Sequence, residues 1–137
     1  MLSAMKRFSF LILAVFFSFA ACSPSKNIDS DFNKCMKIVE DYDSYIGPVS
    51  DTILARFYFA TNYLERISGV AGSFVDAEPP HYKTRSDCRS DLRKWRNWYD
   101  GHIEYLTQDR SDSLKREIAR DNIWWSDSTI LDYVFDN

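Results

Sequence analysis

Two histidines and several carboxylates are the side chains of this 137-residue chain that could do acid–base chemistry. His102 lies on the apolar stripe of a predicted helix, so we expect it to be buried or half-buried and hydrogen-bonded inside the fold. His81 follows a Pro-Pro pair and is expected in solvent. The sequence has no GxSxG, P-loop, HExxH, GxGxxG or CxxC motif. Capping and solvation at predicted helix ends explain the close carboxylate pairs, Asp41 with Asp43 and Asp109 with Asp112. We therefore predict no enzyme activity, no cofactor and no metal.

A basic stretch between residues 83 and 96 is the clearest candidate for recognition. Its arginines repeat at intervals of four, four and three, which places them along one face of a helix. A solvated helix face is the default interpretation, and contact with anionic headgroups or an acidic partner is the functional one. Trp98 follows in the same helix, and Trp and Arg are enriched at protein interfaces. The predicted partner-binding residues are Arg89, Arg93, Arg96 and Trp98.

The first 21 residues have the three-part layout of a secretory signal peptide. Lys6 and Arg7 precede an apolar run that ends in two alanines. That run is shorter than the roughly 20 residues that a membrane-crossing helix needs. The residues Phe19-Ala20-Ala21-Cys22 resemble the lipobox of bacterial lipoproteins, with Phe19 where Leu is usual. The resemblance implies that Cys22 becomes the acylated N-terminus and anchors the protein to the membrane.

Residues 22–29 are predicted to form a short lipidated tether, because they are polar, contain a proline and lack apolar periodicity. An extended chain of this length spans roughly 25 Å, at about 3.3 Å per residue. The lipoprotein resemblance implies retention at the inner membrane when Asp follows the acylated cysteine. Ser23 stands there instead, which favours the outer membrane, with the domain facing the periplasm or the cell surface.

With Cys22 acylated, Cys35 and Cys88 remain as an even pair in an exported chain. We predict a disulfide between them, because both lie on the apolar stripes of predicted helices. Closing this loop would stabilise the fold by roughly 4 kcal/mol in the chain-entropy model. The alternative is that both are small buried apolar side chains.

Charge narrows the classes of partner. Residues 22–137 carry 15 bases and 20 acids, a formal charge of −5. A nucleic-acid-binding domain would show a basic balance, so we expect no nucleic-acid partner. The remaining length fits one domain, predicted over residues 30–137.

Apolar residues repeat at threes and fours, which predicts helices. The first two are predicted over residues 29–46 and 49–68, joined as an antiparallel hairpin by a Gly-Pro turn. Gly69 stands where a left-handed C-terminal residue belongs. A third helix is predicted from Thr84 or Ser86 towards Leu106, with Gly101 marking a kink or an early end.

A Ser/Asp-rich turn over residues 109–113 is predicted to precede a shorter fourth helix, and residues 126–137 to form a short helix or strand. The predicted fold class is therefore all-α: a small bundle of four to five helices, or two stacked helical hairpins. Residues 69–83 form the longest irregular stretch, and long loops are often functional or mobile.

One further similarity concerns the helical domain. The block Leu64-Glu65-Arg66-Ile67-Ser68-Gly69, followed by Asp91, Trp95 and Trp98, resembles a pattern in small bacterial proteins of HEAT-like helical type. That resemblance implies stacked helix pairs and a role in binding other proteins.

These observations predict an outer-membrane lipoprotein with a non-catalytic binding or assembly role in the cell envelope. It would contact the membrane through its lipid and an envelope protein through its domain. The alternative is an immunity or inhibitor lipoprotein that binds a toxin or an envelope-targeting enzyme. An envelope hydrolase would require a convergent cluster around His102 that the sequence does not show.

Overall fold

The computed structural model describes residues 26–121 and 127–135, with side chains described over 30–121 and 129–135. Cys22, the signal peptide, Trp124 and Trp125 lie outside the described residues. The described residues form five α-helices and one 3-10 turn, Ile103–Tyr105. The helices are α1 (Lys26–Asp43), α2 (Asp51–Ser68), α3 (Arg85–His102), α4 (Gln108–Asp121) and α5 (Asp127–Phe135). The prediction of a small all-α bundle is confirmed.

Local capping explains where α2 begins and ends and where α3 begins. The hydroxyl of Ser50 accepts a hydrogen bond from the backbone N–H of Ile53 at the start of α2. Gly69 ends the helix with φ of +70°, and its N–H bonds to the carbonyl of Glu65. Thr84 and Asp87 form a reciprocal capping box at the start of α3. The predicted caps Gly69 and Thr84 are confirmed.

Two predicted boundaries differ from the structure. The first helix begins at Lys26 instead of Asp29, so the last four residues of the predicted tether belong to α1. The fourth helix begins at Gln108, and the predicted turn over residues 109–113 is helical. The hydroxyl of Thr107 accepts from the N–H of Arg110, which satisfies a backbone donor at the start of α4.

The helices pack around one apolar core. The α1–α2 hairpin has the most extensive helix contact, and α4 and α5 pack against α2. α3 lies antiparallel to α1, because Arg85 contacts Asp43 while Arg96 bonds to Asn33. The largest fully buried side chains include Trp95, Tyr63, Phe32, Phe57, Phe59 and Leu64.

The predicted disulfide is wrong, because Cys35 and Cys88 are both buried free thiols. The register of α1 against α3 keeps them apart. Arg85, three residues before Cys88 on α3, contacts Asp43 on α1, and burial together with the nearby Asp43 and Glu40 carboxylates raises the pKa of Cys88. Glu40 and Asp43 are five and eight positions beyond Cys35 on α1. At 1.5 Å per residue, that offset is roughly 7 to 12 Å along the helix. A disulfide requires Cα atoms about 4.4 to 6.8 Å apart.

Among the residues that the structure describes, no helix combines the length and apolar character needed to span a bilayer.

Candidate functional site

The loop between α2 and α3, residues 69–84, is the structural basis of the candidate site, and its first half is firmly attached to the helices. The indole N–H of Trp95 donates to the carbonyl of Val70 at 2.9 Å. The carboxylate of Asp91 accepts from both the N–H and the hydroxyl of Ser73. Asp91 is only 1% exposed, so these bonds are made in a poorly solvated environment. The loop therefore has a defined path.

The second half of this loop folds back on itself and against α1. Val75 and His81 form an antiparallel bridge, with their N–H groups and carbonyls paired in both directions. The hydroxyl of Tyr42, near the end of α1, donates to the carbonyl of Pro80 at 2.8 Å. These contacts place residues 76–80 beside the start of α2.

An open groove of about 980 Å³ lies between this loop and the α1–α2 turn. We call it the hairpin groove. Its apolar lining comes from both sides, with Leu54 and Ala55 on α2 and Ala77 and Pro79 on the loop. A volume of this size is within the range of ligand-binding clefts. The residues lining the hairpin groove are Gly47, Val49, Asp51, Leu54, Ala55, Tyr58, Asp76, Ala77, Glu78, Pro79 and Pro80.

The charged side chains that line the hairpin groove are all acidic. Asp51, Asp76 and Glu78 are exposed, and within the described part of the chain none has a cation within 4 Å. The hydroxyl of Tyr58 donates to Asp76 at 3.4 Å. Burial and the nearby Asp76 and Glu78 carboxylates raise the pKa of Tyr58. The groove thus combines an apolar surface with a negative potential.

Two large apolar residues are exposed in the α1–α2 turn. Ile46, in the α1–α2 turn, is 98% exposed, and the neighbouring Tyr45 is 44% exposed. A smaller cleft of about 220 Å³ lies on the other side of Pro79 and Pro80 and includes Tyr45 in its lining. Ile46 thus lies in sequence between Tyr45, which lines the smaller cleft, and Gly47, which lines the hairpin groove.

The predicted basic face is only partly free. Arg89 and Arg93 are exposed on α3. Arg96 instead donates to Asn33 at 2.6 Å and lies 5.5 Å over the ring of Phe32. Its guanidinium therefore joins α3 to α1. The structure leaves two of the three predicted arginines available for a partner.

Trp98 is half-buried, packs against the core and stacks on His102 with ring centroids 4.7 Å apart. The expectation that His102 is buried or half-buried is wrong, because it is exposed where α3 ends. Its Nδ1 lies 2.7 Å from the carbonyl of Trp98, one turn earlier in the helix. His81 is exposed, as expected. No group of three or more His, Cys, Asp or Glu in the described ranges could hold a metal ion.

A buried polar cluster joins α1, α2 and α4. The hydroxyl of Ser111 donates to Asp31 at 2.9 Å and lies 2.7 Å from the hydroxyl of Tyr63. Lys115 forms an ion pair with the same Asp31 carboxylate at 2.8 Å. Burial lowers the pKa of Lys115, but its bonds to the Asp31 and Asp112 carboxylates outweigh that effect and raise it. These groups satisfy one another inside the bundle, so the cluster is structural.

The sequence analysis does not predict the hairpin groove, because the apolar periodicity of α2 identifies only the one face that packs in the core. Asp51, Leu54, Ala55 and Tyr58 lie on a second face of the same helix, at spacings of three and four. A helix with apolar residues on two faces must bury or present both. That second face was the available signal.

Neither the protein-family models nor the curated proteins nor the solved structures contain a match to this chain.

Proposed function

We propose that this protein is a lipoprotein of the bacterial cell envelope whose helical domain binds a protein partner through the hairpin groove and catalyses no reaction itself. The observation that carries the binding role is the groove, which is open and has apolar residues of both α2 and the α2–α3 loop in its lining. The signal-peptide pattern and the lipobox-like residues before Cys22 support the anchor.

The position of the groove suits a tethered binding module. α1 has 18 residues and follows the predicted anchor, so its length places about 27 Å between its two ends. The hairpin groove lies at the end of α1 that is remote from the anchor. A partner in the periplasm or outside the cell would therefore meet this end of the domain.

An immunity or inhibitor role is the second candidate. Its support is the acidic lining of the groove, since a basic toxin or enzyme would be attracted to it. Under that role the groove would contact one secreted or imported protein, whereas an assembly role would give a stable envelope complex. The identity of the partner separates the two.

The anchor is tested by replacing the acylated residue. Cys22→Ser should abolish incorporation of radiolabelled palmitate and release the domain from the outer-membrane fraction. Palmitate labelling and membrane fractionation of the unaltered chain and the variant measure both effects. Recovery of unlabelled Cys22→Ser in the outer-membrane fraction at the level of the unaltered chain would contradict the lipoprotein proposal.

The groove is tested with two tryptophan substitutions in one loop. Ala77 lines the hairpin groove, so Ala77→Trp should fill it and remove partners recovered by affinity purification from intact envelopes. Ala71 is exposed in the same loop and outside the groove lining, so Ala71→Trp is the matched control. Equal recovery of every partner with both variants would contradict a role for the groove.

A further inference from the structure

We propose that the hairpin groove recognises a segment of a partner protein in which a lysine or arginine is flanked by aliphatic side chains. This inference rests on the proposed function, because it names the chemistry of the partner bound by the same groove. It depends on three features. The first two are the apolar lining of the groove and its carboxylates, which have no ion-pair partner among the described residues. The third is the polar surface around the exposed arginines of α3, which argues against a second copy of this chain as the occupant.

The lining selects for aliphatic side chains near the cation. Leu54 and Ala55 contribute one wall, and Ala77 and Pro79 the opposite wall. Burial of apolar surface is favourable in proportion to its area, so aliphatic neighbours in the partner would provide most of the binding energy. A hydrophilic basic tail would leave these walls in contact with water.

The carboxylates select for a cation. Asp51, Asp76 and Glu78 contribute up to three negative charges to one groove, and none has an ion-pair partner among the described residues. A lysine or arginine there would form ion pairs that no described side chain makes with these carboxylates. A fatty acid or another anionic amphiphile fits the apolar lining, but its carboxylate would be repelled. The charge thus favours a cationic segment over an anionic lipid.

The exposed face of α3 in a second copy of this chain would supply the required charge without the required apolar surface. Arg85, Arg89 and Arg93 are its exposed arginines on α3. The other exposed side chains of α3 are polar, so docking that face would leave Leu54 and Ala77 without apolar partners. We therefore infer a different protein as the occupant.

The test measures binding of short synthetic peptides to the full chain in detergent micelles by fluorescence anisotropy. The peptides share flanking leucine and valine residues and differ at the centre, which is lysine, arginine, norleucine or glutamate. We expect the lysine and arginine peptides to bind about tenfold more tightly than the norleucine peptide, from three exposed charge contacts. Raising the salt concentration should reduce this preference.

Paired variants assign the preference to the groove. Asp76→Asn with Glu78→Gln should reduce it to about threefold or less, since one carboxylate remains. The control is Asp100→Asn with Glu104→Gln. These two exposed carboxylates lie at the end of α3 and in the 3-10 turn that follows it, away from the hairpin groove, so their loss should leave the preference unchanged. Ala77→Trp should abolish binding of every peptide.

Each other outcome overturns the inference. If all peptides bind equally and Ala77→Trp abolishes binding, the groove binds partners without selecting a cation, and the proposed function survives alone. If no peptide binds, the inference fails, while recovery of envelope partners that is sensitive to Ala77→Trp would still support the function. If sedimentation shows self-association that Ala77→Trp prevents, the occupant is a second copy.

Discussion

Replacing Asp91 tests how the wall of the hairpin groove is held in place. Its carboxylate, 1% exposed, accepts two hydrogen bonds from Ser73 and lies 3.4 Å from the amine of Lys94. The two bonds from Ser73 join α3 to the first half of the α2–α3 loop, as does the bond from Trp95 to Val70, whereas the contact with Lys94 lies within α3. Asp91→Ala removes all of the carboxylate's contacts at once.

The expected loss follows from the number and type of these bonds. A hydrogen bond to a charged group contributes about 1.5 to 3 kcal/mol, so the two from Ser73 give about 3 to 6 kcal/mol. The desolvation penalty of the buried carboxylate disappears with it and offsets part of that sum. The ion pair adds little, because the Lys94 side chain is 54% exposed. We expect Asp91→Ala to lower the free energy of unfolding by about 3 kcal/mol.

Urea unfolding followed by circular dichroism measures this change, and thermal unfolding should show a fall in Tm of about 10 °C or more. Asp91→Asn keeps a neutral acceptor and should lose about 1 kcal/mol. Asp100→Ala, an exposed position on the same helix, should stay within about 0.5 kcal/mol of the unaltered chain. If Asp91→Ala were no more destabilising than Asp100→Ala, the proposed attachment of the loop would be refuted.

Three further predictions follow from the packing. Arg96→Ala should lower the free energy of unfolding by about 1 kcal/mol through its contacts with α1, and Arg93→Ala by less than about 0.5 kcal/mol; equal effects in thermal unfolding would contradict the assignment. Burial raises the pKa of both cysteine thiols, that of Cys88 to about 12, so iodoacetamide should modify neither Cys35 nor Cys88 in the folded chain. Intact mass should be the same with and without reductant, and a two-dalton difference would restore the disulfide. Burial also raises the pKa of Tyr63, so its contribution to stability should be constant below the unfolded pKa of about 10 and lost as pH rises above it. Urea unfolding across that range should show a shallower decline for Tyr63→Phe than for the unaltered chain.

Predictions that depend on local structure agree with the observed fold. Gly69 ends α2 in the left-handed conformation, and Thr84 caps α3, because both effects involve residues within one turn of each other. α3 ends at His102, directly after Gly101, as the glycine indicated. These features arise from neighbours in sequence, so the sequence pattern contains them.

Predictions that depended on partners distant in sequence were less successful. The sequence predicts a turn at Ser111, because serine and aspartate favour turns. In the structure Ser111 is fully buried, and its hydroxyl contacts both Asp31 and Tyr63. The periodicity of the third helix predicts that His102 lies on its apolar stripe. In the structure α3 ends at His102, and the side chain is exposed. Periodicity gives the face of a helix and carries no information on which residues that face meets.

The cysteines and the candidate site also separate what neighbouring residues determine from what contacts between distant residues determine. The sequence alone determined the helical class, the caps Gly69 and Thr84, the acidic balance of residues 22–137 and the expectation of a lipid anchor at Cys22. The tertiary structure decided that Cys88 on α3 packs beside a later turn of α1 than the turn that holds Cys35. The reason is that the axial register of two helices depends on packing along their whole length. It also decided that Asp51 and Glu78, 27 positions apart, line one groove. Bonds from Ser73 and to Pro80 set the path of the loop, and no local pattern specifies where such bonds will form.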